Sequence, residues 1–159
     1  MRLLAGLLLI AAAPAFAADE VPPPAAAVAL LGPASNVSDL AAAQRFYVEG
    51  LGMKQLMQMG QPRRYETMLG FAADPRQPGL ILMSDKTATK RIAKTHGTGF
   101  DRLVFRIADL PGVAARLKSM GYQVSAVREV AMGYRMAMAT DPDGYRLELV
   151  ETMAKTKGQ

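Results

Sequence analysis

The sequence predicts an α+β domain of two tandem βαβββ repeats, whose eight strands form a cleft-shaped mixed sheet. Three observations carry this expectation. V-S-D-L at 37–40 returns as I-A-D-L at 107–110, which sets Asp39 and Asp109 70 positions apart. Around each Asp the same order recurs: a strand-like stretch, a helical stripe ended by glycine, then three more strand-like stretches. The last of them opens on D-P-D-G at 141–144, where Pro142 presets a turn corner, Asp143 can bond local backbone and Gly144 accepts positive φ.

The elements follow in order. Residues 28–37 form a weak strand, interrupted by Gly32 and Pro33. Ser38 and Asp39 can cap a helix whose stripe is Leu40, Ala43, Phe46, Tyr47 and Leu51, and Gly52 ends it. Strands are expected at 53–59, 65–72 and 80–84, separated by G-Q-P and D-P-R-Q-P-G. In the second half a strand at 102–108 precedes the Asp109 cap. Leu110, Val113, Ala114 and Leu117 make the stripe there, Gly121 closes it, and strands follow at 123–130, 134–140 and 145–151. The domain is thus expected at 28–151, with repeat 1 at 28–85, a linker at 86–99, repeat 2 at 100–151, and a polar tail at 152–159.

The first 17 residues carry Arg2, an apolar run at 3–13 too short to span a bilayer, Pro14, and Ala15-Phe16-Ala17. This is the pattern of a signal peptide cleaved after Ala17, and it predicts a periplasmic or secreted protein with no stable membrane anchor. Residues 18–27 read as an extended leader rich in Pro and Ala. The chain has no cysteine, so no disulfide is available in an oxidising destination. The formal charge of +5 is mild, and Lys86, Lys90 and Lys94, with Arg91 beside them, would line a solvated basic face if the linker were helical. With no Trp and no interleaved aromatics, nucleic acid is not an expected partner.

Alternation assigns the faces of the strands that carry chemistry. Arg146, Glu148 and Val150 share one face of the last strand, and Tyr145, Leu147, Leu149 and Glu151 the other. Arg102, Val104 and Arg106 likewise alternate onto the polar face, opposite Leu103, Phe105 and Ile107. Met57 with Met59, and Met136 with Met138, are same-face pairs. Core filling is their expected role, ahead of an adaptable apolar cleft and a thioether site for Cu(I). His96, the only histidine, reads as a solvated loop residue.

Three segments together resemble the vicinal oxygen chelate superfamily: residues 37–56, G-F-D-R-L-V-F-R-I-A-D-L at 99–110, and D-P-D-G-Y-R-L-E-L-V-E at 141–151. F-Y-V-E-G-L-G-M-K and D-P-D-G-Y-R-L-E-L are most similar to glyoxalase I, the lactoylglutathione lyase. The resemblance implies one divalent metal held by four side chains, a His from the first strand and a Glu from the last strand of each repeat. Matched motif to motif, those positions fall on Gly32, Arg102, Leu82 and Glu148, so three of the four ligands are absent. Glycine and leucine cannot donate to a metal and arginine is a fixed cation, so neither metal nor other cofactor is expected.

The preferred expectation is a binding protein for a small anionic or amphipathic molecule. Arg102, Arg106, Arg146 and Glu148 would form its site, and Glu148 is the candidate base if catalysis remains. Arg102 and Glu148 are expected to pair where the metal would sit. A glyoxalase-type isomerase or lyase with a rebuilt or metal-free site is the first alternative, and an interaction module with a vestigial cleft is the second. A homodimer is compatible with all three.

Overall fold

The computed structural model describes residues 30–71, 77–87 and 96–153. The expected signal peptide and leader lie outside these residues, as do Lys90, Arg91, Lys94 and the tail beyond Met153. The first half runs β1 (Ala34–Val37), α1 (Leu40–Gln44), a π-helical turn (Arg45–Gly50), β2 (Lys54–Gln61), β3 (Arg64–Gly70) and β4 (Leu80–Asp85). The second runs β5 (Leu103–Arg106), α2 (Leu110–Ser119), β6 (Arg128–Val130), β7 (Tyr134–Thr140) and β8 (Arg146–Thr152). The strands make two four-stranded sheets, β1-β4-β3-β2 and β5-β8-β7-β6, each with a parallel pair at one edge and antiparallel pairs elsewhere.

Local chemistry starts both helices alike. Asp39 Oδ1 accepts from the backbone N–H groups of Ala41 and Ala42 at 2.9 and 3.2 Å, and Asp109 Oδ1 accepts from that of Gly112 at 3.0 Å. Pro111, in the first turn of α2, lacks an N–H that the helix would leave unbonded anyway. The first helix winds differently near its end, where the N–H of Leu51 reaches the carbonyl of Phe46, five residues back. Expected and observed strands differ chiefly in length. β1 begins only after Gly32 and Pro33, and the strand expected at 123–130 is reduced to β6 plus an isolated bridge between Val124 and Ala139.

The two halves share one core. Leu69, Leu80 and Leu82 from the first sheet and Leu147, Leu149, Ala137 and Ala139 from the second are buried, with Phe46, Tyr47, Leu110 and Leu117 from the helices. The helical segments pack on each other. Arg116 Nε donates to the Gly50 carbonyl at 2.8 Å, and the rings of Phe46 and Tyr122 meet edge to face at 4.8 Å. A Cβ at Gly50 would lie 2.5 Å from a methyl carbon of Leu117, so any larger residue there would push the Leu117 side chain aside.

The D-P-D-G turn joins the halves. Tyr47 donates its hydroxyl hydrogen to Asp141 Oδ2 at 2.9 Å in a buried contact. Asp141 Oδ1 accepts from the backbone N–H groups of Asp143 and Tyr145, while the Asp143 carboxylate accepts from that of Ser38 at 3.1 and 3.2 Å. Tyr145 Oη donates to the carbonyl of Asn36 at 3.2 Å. A turn expected only to start a strand therefore also fixes repeat 2 onto the β1–α1 junction of repeat 1.

Candidate functional site

Because each sheet turns its leucines to the shared core, its other face is left to solvent and ligands. In the second sheet, cross-strand pairing puts Val104, Glu148 and Met138 in one row of that outer face. Arg106, Val150, Met136 and Arg128 form the next row. Val104 is 61% exposed there, an open position for a β-branched apolar side chain.

Arg102, just before β5, pairs with Glu148 through Nε and with Asp101 through Nη1. Arg146 Nη1 reaches the other oxygen of Asp101 at 3.0 Å. The charges therefore run Glu148, Arg102, Asp101, Arg146 in alternating sign. Glu148 side-chain exposure is 17% against 40% for Arg102, so the carboxylate is the more sheltered partner. Hydrogen bonding to Glu148, and then to Asp101, holds the Arg102 guanidinium even more firmly protonated than usual. Arg106 stands apart from this chain, with Nη1 on Thr152 Oγ1 at 3.0 Å. Three of the four expected site residues, Arg102, Arg146 and Glu148, are thus linked through Asp101, and Arg106 shares only their face.

Two expectations are corrected here. Val104 pairs with Glu148, and its counterpart 70 positions earlier, Ala34, pairs with Ile81. The first-repeat equivalent of Glu148 is therefore Ile81 and not Leu82, which is fully buried in the core. The methionine pairs are also not core: Met57 and Met59 are 50% and 47% exposed on the outer face of the first sheet. Among the described methionines it is Met53 that the core buries.

The four positions do not fit a divalent metal. Gly32, at φ 142°, has no donor side chain, and a Cβ there would stand 2.0 Å from the carbonyl oxygen of Gly79. Ile81 offers only hydrocarbon, and Arg102 fills its position with a cation already bonded to Glu148. A metal held by Glu148 would first have to displace that guanidinium.

His96 is placed otherwise than expected. Its Nε2 lies 3.0 Å from the carbonyl oxygen of Asp143 and its ring packs on Tyr145 with centroids 4.1 Å apart. Together with Phe100, Asp101, Tyr145 and Arg146 it lines a cavity of about 320 Å³ beside the charge chain. A larger cavity of about 550 Å³ lies on the first sheet, between Asn36, Arg64, Tyr65, Glu66, Met83 and Asp85. The smaller cavity draws on both the 99–110 and the 141–151 motifs, whereas no motif marks the larger one.

Two four-stranded sheets that match strand for strand, with a charge chain beside the outer face of the second and no charges at the matching positions of the first, define a glyoxalase-like α+β protein. The chain belongs to the glyoxalase/bleomycin resistance protein/dioxygenase superfamily, whose family model matches residues 30–149. It is 29% identical over 130 residues to a probable lactoylglutathione lyase of Vibrio parahaemolyticus, a match covering 77% of this chain and 90% of that protein. The glyoxalase I of Zea mays superposes with a TM-score of 0.69 at 28% identity, over 79% of this chain and 45% of that one. The trypanothione-dependent glyoxalase I of Leishmania major shares the fold, with a TM-score of 0.67, 24% identity, and coverage of 79% and 87%.

Proposed function

We propose that this protein is an exported, non-metal member of the superfamily that binds a small amphipathic anion. The observation that carries the reading is the Arg102–Glu148 pair. It occupies two positions where the family pattern calls for metal ligands, beside a face where Arg102, Arg106, Arg128 and Arg146 outnumber the carboxylates of Glu148 and Asp101. Arginine is suited to that role because its planar fork binds carboxylate, phosphate or sulfonate through two parallel hydrogen bonds. Met136 and Met138 beside it offer an adaptable apolar surface for the rest of the ligand. The reading includes a homodimer.

The test uses 1-anilinonaphthalene-8-sulfonate as an amphipathic anionic probe. Saturable binding by the purified mature protein is expected, weakened about ten-fold in the Arg106→Gln/Arg146→Gln variant. Sedimentation should give the mass of two chains, and the secreted or periplasmic protein should begin at Ala18. Stoichiometric Ni²⁺ or Zn²⁺ retained after dialysis, with turnover of the methylglyoxal–glutathione adduct, would overturn the non-metal reading. It would favour the glyoxalase I activity to which the Vibrio relative's name points.

A further inference from the structure

The outer face of the first sheet has a composition that packing does not account for. Cross-strand pairing sets Ala34, Ile81, Met68 and Met57 in one row, and Asn36, Met83, Glu66 and Met59 in the next. On the inner face of the same strands the buried apolar residues are Leu69, Leu80 and Leu82, with Val37, and no methionine. All four methionines of these strands, Met57, Met59, Met68 and Met83, thus face outward, beside Ile81.

Leucine and methionine fill similar volumes, so the difference is one of chemistry: a thioether sulfur is a soft, uncharged donor. Directly opposed side chains on a sheet have Cβ atoms about 5 Å apart, and diagonal ones lie within reach of a long flexible side chain. Met57 is opposite Met68, Met59 is two residues along from Met57, and Met83 is diagonal to Met68. In the middle of this group stands Glu66, between Met59 and Met83. The neighbouring cation, Arg64, is already held by Asp85 at 2.9 Å, and among the described residues Glu66 has no ion-pair partner.

We propose that this face is a binding site for a soft monovalent cation, Cu(I) or Ag(I). Met57, Met59 and Met68, which are contiguous in the register, supply the thioether donors, and Glu66 supplies the balancing charge. Thioethers select monovalent copper over the harder divalent ions, and a single carboxylate matches a single positive charge. The second sheet makes a contrast within the same molecule. Met136 and Met138 occupy its outer face too, but Arg106 and Arg128 stand in the row of Met136 and repel a cation. The site belongs to one sheet of one chain and requires neither the anion cleft nor a second copy.

The full mature chain is titrated with Ag(I) as its nitrate in chloride-free buffer, and with Cu(I) under ascorbate against a chromogenic chelator. Methyl-¹³C methionine spectra are recorded alongside. One Ag(I) per chain is expected, with methyl shifts at Met57, Met59 and Met68. Met57→Leu/Met59→Leu/Met68→Leu should weaken binding by at least about ten-fold, and Glu66→Gln by a smaller factor. Met136→Leu/Met138→Leu should leave affinity unchanged. Retained thermal unfolding in the triple variant separates loss of donors from loss of fold. Absence of saturable binding, undiminished binding by the folded triple variant, or shifts at Met136 and Met138 instead would overturn the proposal. Anion-probe binding is measured on the same samples, so failure of one site is read independently of the other.

Discussion

Replacing Tyr47 by Phe removes one oxygen from the junction between the repeats and leaves Asp141 Oδ2 without its partner. Tyr47 is fully buried, Asp141 is 5% exposed, and the bond between them is 2.9 Å long. A hydrogen bond to a charged group in such a place stabilises by about 2 kcal/mol. Over a domain of roughly 120 residues that corresponds to a melting temperature lower by about 8 °C. The loss should depend on pH with a definite sign. Burial raises the Asp141 carboxyl above its ordinary value, against the downward pull of the hydrogen bonds from Tyr47 and from the backbone N–H groups of Tyr145 and Asp143. Such a group stabilises the fold below its unfolded pKa and loses that contribution as pH rises through the folded one. Deleting the Tyr47 hydroxyl pushes Asp141 up further. The variant should therefore be penalised most at neutral pH, and the gap to wild type should narrow as the solution is acidified toward the ordinary carboxylate range. Tyr47 itself stays protonated throughout, since burial and then the Asp141 charge push it far up. Urea unfolding of both proteins from pH 7 down to pH 4 measures the effect. A gap below about 0.5 kcal/mol, or one that widens on acidification, would refute the reasoning.

Two further outcomes test the other junctions of charge and backbone. Arg102→Met and Glu148→Leu should each lower the unfolding temperature slightly, and the double variant should lose less than the sum, because Arg102→Met alone leaves the more sheltered Glu148 carboxylate without its guanidinium; additive losses in a double-mutant cycle would show that the pair is not coupled. Gly32→Ala should destabilise clearly in thermal unfolding, since the new methyl meets the Gly79 carbonyl at 2.0 Å and φ is 142°, and wild-type stability in that variant would show that the contact relaxes freely.

The duplication was legible because Asp39 and Asp109 keep their spacing and both cap helices, and because glycines close both stripes. The faces of β8 were legible from strict alternation: Leu147 and Leu149 are buried while Arg146 is exposed. β4 offered no such signal. Leu80, Ile81, Leu82 and Met83 are apolar on both faces, so parity could be fixed only by pairing with β1, and the motif match slipped by one residue. The methionines misled for a related reason, because hydrophobicity predicts burial while Met57 and Met59 belong to an open face. His96 could not be placed from sequence, since its neighbours are a backbone carbonyl and a tyrosine ring 49 positions on. The Arg102–Glu148 pair was foreseeable through the resemblance, and its continuation through Asp101 to Arg146 was not.

The staple at D-P-D-G has a consequence for the order in which the chain can fold. Its bonds join residues 94, 105 and 109 positions apart, so none can form while only the first half of the chain is present. Until then Tyr47 lacks its carboxylate partner and the Ser38 N–H ahead of α1 lacks Asp143. Loops that close over such distances form late and slowly. Repeat 1 is therefore an obligate debtor to the last strand pair, and a chain cut after Asp85 should expose its helical face to solvent and aggregate instead of folding as half a protein.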